Sequence, residues 1–390
     1  MLLFMLVFEA IFGLFMRYIL LLILWAFSQL LMAEEISSEA KVFDAFFKAQ
    51  MEKYNIPGGA YAIIQDGKVI SMQGYGITSL KNPKPIDENT VFRLASVSKT
   101  FSSLLAAKLV EENQMSWTDQ VSNFVPGFSL KRKDYTADLQ VQHILGQSAG
   151  IMPNAYDNYL EENFSLKKII PKFNRVGSFC APGDCYSYQN ILYSLIQPVM
   201  EQSTSSTYEK LMADKIFTPL DMANTSLGLS SFLENENHAS PHVKTPKGWI
   251  EVKIKQNYYN VLPAAGVNAS ISDMSKWLMA QMGHKPKTIT KQMVEAVTKK
   301  RVKTKQDLKR SKWRDYITDA HYGLGWRVYQ FKDEELIYHG GWVSGFRADI
   351  SYSQSRKVGL VVLLNAETNI ISEISTSFWA NIIETPTVGQ

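Results

Sequence analysis

The chain has 390 residues, 46% of them hydrophobic and 20% charged, with a formal charge of +4. That balance excludes a disordered chain, and two cysteines exclude a disulfide-dense scaffold. A single apolar segment excludes a multi-span transporter, and so small a net charge does not argue for nucleic acid.

Residues 1–33 are almost wholly apolar, broken by Glu9 and Arg17. Met16-Arg17 supplies a positive start, Tyr18 to Ala33 an apolar run, and Glu34-Glu35 begins polar sequence. This is the layout of a secretory signal peptide cleaved after Ala33, with Met16 as the expected true start. The apolar run is short for a span of roughly 20 residues, so an uncleaved anchor facing outside the cytoplasm is the lesser expectation. Either way residues 34–390 are expected to be exported, periplasmic or secreted.

Val42, Phe43, Phe46, Phe47, Met51 and Tyr54 recur at helical spacing, so 38–54 reads as a helix ended by Pro57-Gly58. Segments 59–65 and 68–75 read as strands joined by Asp66-Gly67, a hairpin signal. Segment 101–112 is an amphipathic helix, and 120–330 reads mainly as helices and long loops. Cys180 and Cys185 flank Ala-Pro-Gly-Asp, a candidate disulfide loop in an oxidising compartment. Residues 299–314 hold nine Lys or Arg and one Asp. They read as a solvated, mobile surface loop, with contact to an anionic cell-wall polymer as the functional alternative. Segments 336–339, 348–352 and 358–364 read as strands, and 370–383 as a closing helix. Strands at both ends and a helical middle predict an α+β fold. One antiparallel sheet is built from both termini (about 38–95 and 320–385), flanked by helices. An inserted helical lobe (about 96–319) leaves the active site between the two.

Ser96-Val97-Ser98-Lys99 opens the helix near residue 101, and three residues is almost one turn, so Ser96 and Lys99 share a face. A serine hydroxyl needs a base, and a desolvated lysine supplies one, because burial disfavours its charged form. Tyr186-Ser187-Tyr188-Gln189-Asn190 follows Pro182-Gly183, and His339-Gly340-Gly341 lies on a late strand where glycine lets a substrate backbone come close.

In this order the three stretches resemble the serine β-lactamase and penicillin-binding-protein superfamily, in its class C β-lactamase and DD-peptidase branch. Ile56-Pro57-Gly58, residues 91–96, 143–151, 217–222, 263–270 and 322–326 also resemble family segments. The resemblance implies Ser96 as the acyl-forming nucleophile, with Lys99 and Tyr188 as the proton-transfer unit. It implies Asn190, His339, Gly340, Gly341 and Trp342 along the substrate, and the backbone N–H groups of Ser96 and Trp342 as oxyanion hole. Tyr186 competes with Tyr188 for the phenol role. No metal and no cofactor is implied, and the expected partner is a small-molecule or peptide substrate met by a monomer. His339 departs from the Lys-Thr-Gly of many class C enzymes, because a histidine near pKa 6.5 is mostly neutral where a lysine is charged. Arg347 is the candidate to compensate by meeting a substrate carboxylate. The expected activity is β-lactam or D-amino-acid amide hydrolysis, with a small-ester esterase and a non-catalytic binding protein as alternatives.

Two rival sites stand in the sequence. Gly146-Gln147-Ser148-Ala149-Gly150 matches the nucleophile elbow of α/β-hydrolases, but Pro153 falls where its helix should run. His238 and His242 are four apart, yet Ser240-Pro241 argues against the helix that a metal pair needs.

Overall fold

Val358–Leu364 is apolar at every position but Gly359, the pattern of a strand buried on both faces. In the computed structural model, which describes residues 16–17 and 39–384, it is an inner strand of an eight-stranded sheet. In chain order the strands are β1 (Gly58–Gln65), β2 (Lys68–Gly76), β3 (Val302–Lys303) and β4 (Ile317–Tyr322). Then come β5 (Arg327–Phe331), β6 (Glu334–Val343), β7 (Phe346–Ser353) and β8 (Val358–Leu364). The spatial order is β2-β1-β8-β7-β6-β5-β4-β3, antiparallel throughout. The first hairpin and the last strand pair directly, Ala60 opposite Leu363 and Ala62 opposite Val361. Asp66 and Gly67 both take positive φ, 44° and 75°, as the two-residue hairpin turn requires.

Alternation along these strands feeds two cores. Ala60, Ala62, Ile64, Val361 and Leu363 face the larger one, which the helical middle fills around Phe101, Leu104 and Trp277. Tyr61, Ile63, Leu360 and Val362 face the other. There the helix at 39–53 contributes Phe43 and Phe47, and the closing helix Ile370–Glu384 contributes Ile371, Ile374 and Trp379. The middle of the chain also carries a three-stranded sheet (Val91–Arg93, Val267–Ser270, Ser226–Leu227) and a hairpin (His242–Thr245, Gly248–Glu251).

Here the structure departs from the sequence reading. Strand β3 and the first residues of β4 belong to the sheet, although they fall in the stretch expected to form the helical lobe, and β5, inside the 320–385 stretch expected to build the sheet, was not read as a strand. They are short and carry polar residues inside the alternation, as in Ile317-Thr318-Asp319-Ala320-His321-Tyr322. The basic run 299–314 lies on the surface with most of its basic side chains exposed, as expected, but it is anchored to the fold. Its Trp313 is buried against Tyr329, Phe331 and Tyr338, and its Thr304 is buried. Its charges meet the protein's own groups: Lys300 with Glu335 at 2.9 Å, Lys303 with Asp319 at 3.0 Å, Lys312 with Glu373 at 3.1 Å. Arg310 donates to the Tyr338 hydroxyl at 2.7 Å. The leader at 1–33, apart from Met16 and Arg17, lies outside the described residues. Among the described residues no helix is long and apolar enough to cross a membrane.

Candidate active site

Ser96 sits in a 3₁₀ turn, Ala95–Val97, that runs straight into the helix Ser98–Glu111. Ala95 holds φ at 48°, a left-handed value that costs an alanine energy and turns the serine out of the preceding strand. Lys99, in the first turn of the helix, is fully buried, while Ser96 and Tyr188 keep part of their surface in solvent. The Lys99 amine lies 3.4 Å from the Ser96 Oγ. It donates to Asn190 Oδ1 at 2.8 Å and to the Ala264 carbonyl at 3.1 Å, and stands 4.7 Å from the Tyr188 ring centroid. No carboxylate touches it among the described residues. Burial pushes its pKa below the ordinary lysine value, against the pull of Tyr188 and Asp157. A lowered pKa makes the amine readier to give up its proton, which a base for a serine hydroxyl requires.

Tyr188, not Tyr186, meets the amine. The Tyr186 hydroxyl is buried without a hydrogen-bond partner, its ring 5.6 Å from that of Tyr322, and burial pushes its pKa up. A disulfide joins Cys180 to Cys185 just before this segment. Gly183 N–H donates to the Ser148 carbonyl at 2.8 Å, and Ser187 N–H to the Gln147 carbonyl at 2.7 Å. The loop thereby anchors the strip of chain that carries the phenol.

Strand β6 forms the opposite wall. Its pairing with β5 stops at Tyr338 opposite Arg327, so residues 339–343 keep that edge free. A Cβ on Gly341 would strike the Leu94 carbonyl, so only glycine lets the strand lie this close to the serine turn. His339 is buried; its Nδ1 lies 3.0 Å from the Gly340 carbonyl, which can only accept, so Nε2 accepts from Tyr322 Oη at 3.1 Å. Burial, with Arg327 and Lys99 nearby, holds its pKa well below 6.5. The residue is therefore the neutral imidazole expected from the sequence.

A model of the Beta-lactamase family matches residues 43–374, most of the chain. The chain belongs to the Beta-lactamase family. It is 23% identical over 335 residues to Protein flp of Staphylococcus aureus, an alignment covering 85% of this chain and 64% of that protein. It is 24% identical over 341 residues to Unguisins hydrolase ungD' of Aspergillus campestris, covering 85% of this chain and 62% of that protein. The chain thus spans less than two thirds of the length of these relatives. Its fold is similar to that of the octameric penicillin-binding protein homologue from Pyrococcus abyssi, with a TM-score of 0.78 at 23% identity. That alignment covers 89% of this chain and 78% of the other. These likenesses place it in the serine β-lactamase and penicillin-binding-protein superfamily, a group of serine hydrolases.

On this family fold some expected site residues lie elsewhere. Phe346 and Ala348 face the larger core, so Arg347 between them points to the opposite face of the sheet from His339. There it is 7% exposed, donates to Asn369 Oδ1 at 3.3 Å and covers the Trp342 ring. The expectation that Arg347 reads a substrate carboxylate beside His339 is corrected on that ground. The Trp342 side chain lies on the same far face, its Nε1 donating to Glu367 at 3.0 Å, so only its backbone borders the cleft. Ser148 follows a helix, Val141–Leu145, not a strand; the left-handed residue is Gln147, and Ser148 Oγ donates to the His143 carbonyl. His238 and His242 go to separate backbone carbonyls, of Asn235 and Asn365. No group of three or more potential metal ligands occurs among the described residues.

Two residues escaped the sequence reading. Arg327 is half-buried in an ion pair with Asp307 and stands 5.6 Å from the Tyr188 ring. Asp157 accepts a 2.8 Å hydrogen bond from Asn190 Nδ2. Neither lies in a local motif. The one available signal was that Arg327 directly follows Tyr322-Gly-Leu-Gly-Trp326.

Proposed function

We propose that the protein hydrolyses an amide or ester carbonyl through an acyl-enzyme on Ser96, first of all a β-lactam or a D-amino-acid peptide. One observation carries the reading: a fully buried lysine amine touches a half-exposed serine hydroxyl and covers a half-exposed phenol. In acylation the Ser96 hydroxyl gives its proton to the Lys99–Tyr188 pair as its oxygen adds to the carbonyl carbon. The developing oxyanion is met by the backbone N–H groups of Ser96 and Trp342, each such donor worth about 10²–10³ in rate. The pair returns the proton to the leaving nitrogen or oxygen, and the acyl group stays on Ser96 as an ester. Water then gives a proton to the same pair as its oxygen adds to the ester carbon; the bond from that carbon to the Ser96 oxygen breaks, the pair returns the proton to that oxygen, and the acid leaves.

The neutral His339 favours a second reading, an esterase for small acyl esters, because a wall without fixed positive charge has no special hold on a substrate carboxylate. The apolar leader at 1–33 supports export to the periplasm or the medium as the place of action. Turnover of a chromogenic cephalosporin, a D-Ala-D-Ala peptide and p-nitrophenyl butyrate, measured side by side, separates the readings. The first or second is expected to give the highest kcat/KM. Turnover of the butyrate alone would transfer the assignment to the esterase, and turnover of none would favour a binding protein.

A further inference from the structure

The catalytic amine has acceptors around it but no counter-charge in contact, and a proton arriving there needs one. Behind the first layer the amine reaches the carboxyl group of Asp157 through a single side chain. Asn190 accepts from Lys99 with Oδ1 at 2.8 Å and donates from Nδ2 to Asp157 Oδ2 at 2.8 Å. An asparagine amide reads equally well either way round until its neighbours decide, and here a carboxylate, which can only accept, fixes the NH₂ end. The carbonyl end is thereby aimed at the amine.

Two further features of Asp157 are costly unless they serve the site. Its second oxygen, Oδ1, is buried without a hydrogen-bond partner. The chain that delivers it passes through two left-handed non-glycine residues, Asn154 with φ at 54° and Tyr156 with φ at 66°. That same turn is tied to the phenol segment, since Asn154 N–H donates to the Tyr188 carbonyl at 2.8 Å and Asp157 N–H to the Asn154 carbonyl at 3.1 Å.

We infer that Asp157 is a positioning residue for the proposed proton-transfer unit. It fixes the orientation of Asn190 and, in its ionised form, places a negative charge one side chain away from a protonated Lys99. Burial raises the pKa of Asp157, while the Asn190 hydrogen bond and the Lys99 charge favour the ionised form. This role rests on the acyl-enzyme reading above. The groups that face Lys99 are the Ser96 hydroxyl, the Tyr188 and Tyr193 rings, Asn190, the Ala264 carbonyl, Arg327 and His339. Of these Arg327 is a cation already paired with Asp307, and His339 is neutral. Asp157 itself faces Asn190, Lys99, Glu161 and Tyr258. Glu161, one turn further along the short helix Asp157–Glu161, accepts instead from Asn257 at 3.2 Å.

The test measures the rate at which a fluorophosphonate modifies Ser96, by intact mass, from pH 5 to 10 in the unaltered protein and in Asp157→Asn, Asp157→Ala and Glu161→Gln. Asparagine keeps a carbonyl acceptor for Asn190 and removes only the charge. Asp157→Asn is expected to react roughly tenfold more slowly at its plateau, part of the 10²–10⁴ that proton transfer supplies. Its acid limb is expected to move to lower pH, because an amine that loses a nearby anion holds its proton less well. Asp157→Ala, which also frees Asn190, is expected to fall further, and Glu161→Gln to match the unaltered protein. A merely structural role would lower the rate without moving the limb. If Ser96 of the unaltered protein takes no label, the acyl-enzyme reading fails. If it is labelled and Asp157→Asn shows the unaltered limb and plateau, the role of Asp157 is refuted while that reading stands.

Discussion

Lys99 shows what the proposed chemistry costs the fold. In the unfolded chain its amine binds a proton with a pKa near 10.4, and burial in the folded protein lowers that value. Below the lowered folded value both states carry the proton and folding bears the full penalty; between that value and about pH 10.4 only the unfolded state holds it, and the penalty shrinks as pH rises. Lys99→Met removes the penalty and keeps the volume. It is expected to raise Tm by a few degrees at pH 7 while abolishing turnover, checked by thermal melting beside a kinetic assay. An unchanged or lower Tm would mean that the amine is comfortably solvated. Ser96 and Lys99 were legible in the sequence because their relation is local, three residues on one helical turn. The neutral His339 was legible too, from the ordinary pKa of its side chain. Asp157 and Arg327 were not, because each reaches the site through chain folding that no spacing records. Arg347 was misplaced for a related reason. Its distance from His339 along the chain says nothing about which sheet face it takes until the register Trp342 opposite Arg347 is known.

One element that anchors the segment bearing the phenol is the short loop closed by Cys180–Cys185. Chain-entropy arguments give so small a loop about 2 kcal/mol. Replacing both cysteines by serine is expected to lower the unfolding free energy by that amount, measured in urea. It is also expected to reduce kcat more than it raises KM, since the segment bearing Tyr188 loses an anchor while the strand edge of β6 is untouched. A loss confined to stability would separate the loop from the site. The first hairpin and the last strands were readable because their apolar periodicity is clean and Asp66-Gly67 marks the turn. Strands β3 to β5 were not, since two to six residues with interior charges carry too little period to tell strand from loop. For the basic run, composition showed the exposed charge excess, while the pairing of Lys300, Lys303 and Lys312 with acids far along the chain showed only in three dimensions.

At the scale of the whole molecule, strands from both ends of the chain build one sheet, and the proposed catalytic residues Ser96, Lys99 and Tyr188 hang from the lobe threaded between them. Ser96 follows the first half of the sheet and His339 belongs to the second, so the cleft exists only once the two halves have paired. The closing helix buries Ile371, Ile374, Phe378 and Trp379 against the sheet face away from the serine. Those side chains contribute on the order of 10 kcal/mol, comparable to the whole stability of a typical domain. A chain ending at residue 369 is therefore expected to be insoluble or unfolded, judged by soluble yield and circular dichroism, although it retains Ser96, Lys99, Tyr188 and His339. The central claim, that Ser96 is a nucleophile served by Lys99 and Tyr188, is tested most directly by mapping a covalent adduct. The protein is treated with a fluorescent penicillin or a fluorophosphonate, digested and sequenced by mass spectrometry. The account predicts one adduct, on Ser96, absent from Ser96→Ala, retained in Ser148→Ala and formed at least about 10²-fold more slowly in Lys99→Ala. An adduct on Ser148, or equal labelling with and without the lysine, would contradict it.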